Sequence, residues 1–295
     1  MKKIYLPVFM VILFSFSIQR LKAQENNENA TKANSYWQAG ISYLNNSVYL
    51  GRKDSLNLPY ITPIIGYYHK SGLYITGSLS YLKSASRSQV DLFELEAGYT
   101  FTSNKLDGEI SASKDFYNSK SYGVKSEMKG SLDGSLSYDF GFITPTLQAE
   151  ISFNTKADYS AGLGVGHSFF AADDNLEIAP SFLLNAGTQN YYSSYYSKRK
   201  YSPKRKKANA PSGATITAYL PNAAEFKIMD YEFALPVNYT AGDFTFNFTP
   251  ALAVPTNPTI VVLTVKPVAG NSYTTTSTEK LSNVFYWSAG VTYKF

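Results

Sequence analysis

The sequence predicts an all-β chain, a transmembrane antiparallel β-barrel of about twelve strands, on three observations. Apolar and polar residues alternate with a period of two along most of the chain, as strands with one greasy and one polar face require. The connections between these segments alternate between long and short. Beyond the N-terminal segment no run of about 18 apolar residues occurs, so a crossing of the membrane falls to strands.

The first element in order is an export signal. Lys2 and Lys3 form a positive start, Ile4 to Ile18 is apolar and uncharged, and Leu21-Lys22-Ala23 ends in a small residue suited to cleavage. Fifteen residues is short for a membrane helix, which needs about 20. The division expected is therefore 1–23 as signal peptide, 24–34 as a periplasmic N-terminal segment and 35–295 as the barrel.

Alternation then runs to the C-terminus. Trp37, Ala39, Ile41 and Tyr43 oppose Gln38, Gly40 and Ser42. Leu73, Ile75, Leu79 and Tyr81 oppose Tyr74, Thr76, Ser78 and Ser80. Phe244, Phe246 and Phe248 oppose Thr245, Asn247 and Thr249. Twelve such segments fall at about 36–44, 60–69, 73–82, 91–102, 105–115, 123–138, 142–153, 158–170, 175–188, 226–239, 244–255 and 282–295. Most reach the 9–11 residues a tilted strand needs to cross a bilayer. Fourteen strands is the alternative, if 214–220 and 259–268 also span; the preferred reading makes them extensions above the membrane.

The long connections (45–59, 83–90, 116–122, 189–225, 256–281) belong to one end. Turns at 69–72, 103–104, 139–141, 172–175 and 240–243 belong to the other, and only 154–157 breaks the order. Membrane barrels sort long outside loops from short periplasmic turns and use an even strand number, whereas a soluble β-sandwich has no reason to do so. Pro63, Pro145, Pro180, Pro236 and Pro250 fall inside segments and are expected at strand ends or bulges, since Pro cannot donate to a ladder.

Composition excludes several functions. With no cysteine there is no disulfide scaffold, thiolate metal site or cysteine nucleophile. The formal charge of +5 is misleading: without Lys2, Lys3, Arg20 and Lys22 the chain holds 23 basic against 22 acidic residues. Seven of the 23 sit together as Lys198, Arg199, Lys200, Lys204, Arg205, Lys206 and Lys207. Nucleic acid is therefore not an expected partner.

The terminal run Tyr286-Trp287-Ser288-Ala289-Gly290-Val291-Thr292-Tyr293-Lys294-Phe295 resembles the last strand of bacterial outer-membrane proteins. With the signal segment and the Gln24 start, the chain resembles outer-membrane β-barrel proteins of the Bacteroidota type. That resemblance implies the outer membrane of a Gram-negative cell, and assembly by the barrel-assembly machinery through Tyr293 and Phe295. It implies lipid, lipopolysaccharide included, as the surrounding partner.

Candidate sites follow from facing. The residues expected to line the lumen are Glu94, Glu96, Asp107, Glu109, Glu127, Lys129, Asp133, Glu150, Glu177 and Glu232, with Asp230, Lys125 and Lys294 also inward. Charges there either pair to fill the interior or favour cations along a path. The seven-cation stretch, with tyrosines from Tyr191 to Tyr201, reads first as a solvated loop and second as a contact for anionic surface polymers. His69 and His167, both on the short-turn side, give no nucleophile–base pair near an outer leaflet, so no catalytic residue is expected. Gly162-Leu163-Gly164-Val165-Gly166 has the wrong spacing for a nucleotide loop, and glycines facing inward make room for neighbours. No metal site and no cofactor are expected. The leading functional expectation is a non-enzymatic narrow channel for small solutes or cations. The alternative is a plugged barrel with a structural or surface-binding role through its long loops, and a lipid-modifying hydrolase stands third.

Overall fold

The computed structural model describes residues 34–84, 87–197 and 215–295. The signal segment and the stretch Lys198–Lys207 lie outside the described residues.

Alternation of side chains folds the chain into a closed antiparallel barrel of twelve strands. Its elements are β1 (Tyr36–Leu44), β4 (Tyr60–Tyr68), β5 (Leu73–Ser84), β6 (Arg87–Ser103), β7 (Leu106–Tyr117), β8 (Ser131–Tyr138) and β9 (Thr144–Ser152). Three spans then come in two pieces each: β10 (Asp158–Gly166) with β11 (Phe169–Ala171), β12 (Leu176–Ile178) with β13 (Ser181–Gly187), and β15 (Lys227–Ala234) with β16 (Val237–Ala241). The wall ends with β17 (Phe244–Pro255) and β20 (Val284–Lys294). Every strand pairs with its neighbour in sequence, and β20 pairs with β1 to close the ring. Trp37 and Phe295 exchange both backbone hydrogen bonds at 2.9 Å, so the last residue seals the seam.

Remaining elements stand at the long-loop end: a hairpin of β2 (Val48–Tyr49) and β3 (Arg52–Lys53), the short helix α1 (Asn190–Tyr195), and a sheet of β14 (Thr215–Tyr219), β18 (Ile260–Lys266) and β19 (Tyr273–Thr278). β14, β18 and β19 pair with one another and not with the wall. This excludes the fourteen-strand count. The sequence reading missed α1, whose six residues are too few for a helical period to show.

The breaks have a physical cause. Pro180 and Pro236 fall between strand pieces, and Pro250 sits opposite in β17. None can donate, but all accept: His167 N–H to Pro180 O at 3.3 Å, Ala179 N–H to Pro236 O at 2.9 Å, and Leu235 N–H to Pro250 O at 3.0 Å. A diagonal bulge line thus crosses four adjacent strands while the wall stays bonded. Pro63 lies where the β4–β5 register skips from Ile61↔Tyr81 to Ile64↔Ser78, and Pro145 near the start of β9.

The outside is apolar and banded. Exposed aliphatic residues such as Ile41, Ile75, Leu95, Ile110, Leu136, Leu147 and Leu163 form the middle. At the short-turn end stand exposed Trp37, Tyr99, Tyr138, Phe169, Phe244 and Tyr293; at the other stand Tyr43, Phe93, Phe116, Phe153 and Phe285. An aliphatic belt between two aromatic girdles is the surface a bilayer requires, since the rings tolerate the headgroup level. A soluble protein would not expose this much continuous apolar surface.

Candidate functional site: a capped polar lumen

Inside the wall, polar side chains take the alternate positions. Thr62, Thr76, Ser78, Ser80, Thr146, Gln148, Ser152, Thr245 and Thr249 are all buried. Among the acidic residues expected inside, Glu94 and Glu150 are each 7 % exposed and Asp107 5 %. Glu96, Glu109, Asp133, Glu177 and Glu232 are half-buried, and Asp230 is fully buried. Two of the expected lining residues stand elsewhere. The fifth segment continues as strand to Tyr117, but the next strand begins only at Ser131. Glu127 and Lys129 therefore lie in the 118–130 connection, Glu127 half-buried and Lys129 exposed. The reason is local: the 124–127 turn interrupts the alternation the sequence displays there. The 83–90 connection differs too, since β5 and β6 extend as a hairpin through it.

Hydroxyls serve the carboxylates. The Tyr74 hydroxyl lies 2.7 Å from Glu96 Oε1 and 2.5 Å from Glu109 Oε1. Its ring crosses Gly98, where an added Cβ would stand 2.5 Å from it, so glycine makes room for this bridge. Thr102 bonds Asp107, Ser131 bonds Asp133 at 2.5 Å, and Ser168 and Asn238 bond the two oxygens of Glu177 at 2.7 and 3.2 Å. Gly162 does the same service as Gly98: a Cβ there would meet Asn185, Gln148 and Leu183 within 3.2 Å.

The long-loop mouth is stoppered. Tyr49, Val124, Met128, Tyr191, Tyr192, Tyr195, Tyr196, Ala218, Leu220, Ala223 and Val261 form one buried cluster drawn from four connections. The hairpin β2–β3 is its lower part. Its turn places Leu50 at φ 46° and Gly51 at φ 71°, the left-handed pair of a two-residue hairpin turn. Gly51 is wedged against the wall, since a Cβ would stand 2.8 Å from that of Pro255 and 2.9 Å from that of Asp230. The Tyr49 hydroxyl reaches down to donate to Glu150 Oε2 at 3.0 Å.

Arg52 holds the hairpin in place. It is 2 % exposed, and its guanidinium donates to Met229 O at 2.8 Å, Thr256 O at 2.8 Å, and Leu50 O and Asn257 O, each at 3.0 Å. Glu279 Oε2 stands 3.8 Å away. One planar fork of donors thus ties the first connection to the 256–281 connection and to β15, an arrangement suited to Arg and not to Lys. Asp54 accepts from Leu56 N at 2.8 Å and from the Tyr195 hydroxyl.

Helix α1 has no side-chain cap of its own from Gln189. Asp158 supplies one from the start of β10, accepting from Asn190 N at 2.6 Å, Tyr191 N at 2.7 Å and Thr188 Oγ1 at 2.7 Å. Burial pushes the phenols of Tyr49, Tyr191 and Tyr192 well above the usual range, with nearby carboxylates adding to it; Arg52 acts in the opposite sense on Tyr191. They stay neutral, as a packed cluster demands.

Sequence reasoning missed Tyr49, Arg52, Asp54 and Asp158. Only Gly51, closing the short apolar run Val48-Tyr49-Leu50, carried a local signal, that of a turn. His69 Nδ1 and Ser71 Oγ are 2.8 Å apart, but across an exposed turn in which Ser71 N–H also bonds Nδ1 at 3.2 Å. His167 packs edge-on against Phe169 with centroids 4.7 Å apart. Among the described residues no group of three or more metal-ligating side chains converges.

These features define a membrane β-barrel with a polar, loop-capped interior. No family model and no curated protein matches the chain. Among solved structures it is similar to a KdgM porin, with a TM-score of 0.42 and 11 % identity over 88 % of this chain and 99 % of that one. It is also similar to LpxR from Salmonella typhimurium (0.38, 10 %, covering 87 % and 99 %) and to BamA from Haemophilus ducreyi lacking POTRA domains 1–3 (0.35, 8 %, covering 88 % and 70 %). Likeness at this level concerns barrel form alone, and that form is shared by proteins of different use.

Proposed function

We propose that this chain is an outer-membrane barrel with a filled interior and a capped outer mouth, working at the cell surface through its loops and not as an open pore. One observation carries the reading. Buried lumen-facing side chains occur from one end to the other: Tyr74 and Asp107 at the short-turn end, Ser78 and Thr146 midway, and Tyr286 and Met229 under the cap. A continuous water column would leave such side chains accessible; here the cap and neighbouring side chains cover them.

The sorting of the connections supports a reading with the cap outside and the short turns in the periplasm. Tyr293 and Phe295 face outward from the wall, 38 % and 58 % exposed, where assembly machinery can reach them. A non-catalytic role fits the isolated histidines. The alternative, a gated cation path, draws on the acidic lumen.

Conductance of the refolded mature protein across a planar bilayer tests this. The closed barrel gives no steady current at modest voltage, and a stable cation-selective current from the unaltered protein would overturn it.

A further inference from the structure

Beneath the cap four carboxylates face one another from four adjacent strands: Glu94 on β6, Asp115 on β7, Asp133 on β8 and Glu150 on β9. Glu94 and Asp115 are direct cross-strand neighbours, and so are Asp133 and Glu150. Like charges placed so repel, and more strongly out of water. Three have hydroxyl donors: Ser113 to Asp115 at 3.3 Å, Ser131 to Asp133 at 2.5 Å, and Tyr49 and Ser152 to Glu150. No hydrogen bond reaches Glu94 among the described residues. Directly opposite it, Ser78 is 4 % exposed and its Oγ has no partner.

Among the described residues a single cation joins these acids. Lys125, 7 % exposed, descends from the 118–130 connection and sets its Nζ 4.6 Å from the centroid of the Tyr49 ring. It makes no ion pair with a carboxylate among the described residues. Among the described residues, four acids and one ammonium leave the chamber short of positive charge. The acids do not converge as metal ligands do. An ammonium group, with three donors and a preference for an aromatic face, matches what is offered: spread carboxylates, the free Ser78 oxygen and a phenol ring.

We propose that this chamber is a binding site for small alkylammonium cations, and that Lys125 is a tethered occupant holding one of its positions while the cap is closed. The ligand class is an amine protonated at neutral pH, with putrescine as the probe. The site goes beyond the surface role proposed above and stands whether or not the barrel conducts.

Calorimetric titration of putrescine dihydrochloride into the refolded full mature chain, in detergent at low salt, tests it. Lys125→Met vacates the tethered position and binds putrescine at least tenfold more tightly than the unaltered protein. Adding Glu94→Gln to that variant removes most of the gain. Heat-modifiable gel migration verifies the barrel in each case, and Lys125→Gln serves if the Met variant does not fold. Unchanged affinity on loss of Lys125, or displacement of putrescine by an equal concentration of potassium chloride, would overturn the proposal.

Discussion

The wall and the cap of this barrel are stabilised by opposite arrangements of the same residue types. In the wall, aromatic and aliphatic side chains face outward and are exposed, among them Phe246 at 48 % and Leu95 at 42 %, with lipid as their solvent. In the cap, tyrosines from α1 turn inward and are buried, Tyr191 fully and Tyr195 to 1 %. The wall is therefore held by its hydrogen-bonded ladders and by the bilayer. The cap depends on packing and on a few buried polar anchors. Substitutions separate the two regions because each kind of residue fails differently in each place.

The largest effect is expected at Arg52. Arg52→Met keeps much of the stem but removes the donors to four carbonyls and the positive charge beside Glu279. Breaking a buried charged network costs about 3–5 kcal/mol, here drawn from the cap. Limited proteolysis should then cut within 45–59, while heat-modifiable migration reports an intact wall. A variant whose cap resists protease as before would show that packing alone holds it.

Leu95→Arg is the converse. It sits among the aliphatic residues of the outer belt, where a charge costs about 2–4 kcal/mol near the bilayer midplane. Urea titration in lipid vesicles should show the loss. Glu94→Gln, one residue away on the other face, should leave folding nearly unchanged.

How far each region was legible in the sequence follows from the same contrast. Strand facing is a local property, so Leu73 to Ser80 or Phe244 to Thr249 announce the wall by their alternation. The twelve-strand count followed from it, and the facing of Glu94 and Glu150 with it. The cap is built from contacts between residues far apart in sequence, such as Tyr195 with Asp54, and no period records them. Alternation also misled where the 124–127 turn imitates a strand, which put Glu127 and Lys129 on the wall. Strand ends or bulges at the prolines follow from their missing donor, but not the alignment of the breaks across neighbouring strands, since that depends on register.

The cap should also fail alone at high pH. The Tyr191 and Tyr192 phenols are raised above their unfolded value of about 10, so the fold favours their neutral form. Their contribution is complete below that value and is lost as pH rises above it. Protease sensitivity of the cap should therefore increase above about pH 10, with the wall unmoved. A cap equally resistant at pH 11 and pH 8 would show that these phenols bind their protons no more tightly in the closed cap than in the open one.

The smallest effect concerns the one connection that broke the alternation of long and short. The 153–157 link is brief, and it delivers Asp158 to a point where its carboxylate closes the N-terminal turn of α1. A carboxylate there satisfies two amides the helix cannot satisfy itself and opposes the positive end of its dipole. Loss of such a group costs about 1 kcal/mol, small against the ladders that hold β10 in the wall. Asp158→Ala should speed hydrogen exchange at the Asn190 and Tyr191 amides and leave the urea midpoint of the barrel in place. Asp158→Asn keeps an acceptor without the charge and should fall between the two. Equal exchange in Asn and Ala variants would assign the whole effect to charge, whereas an Asn variant matching the native protein would assign it to the hydrogen bonds.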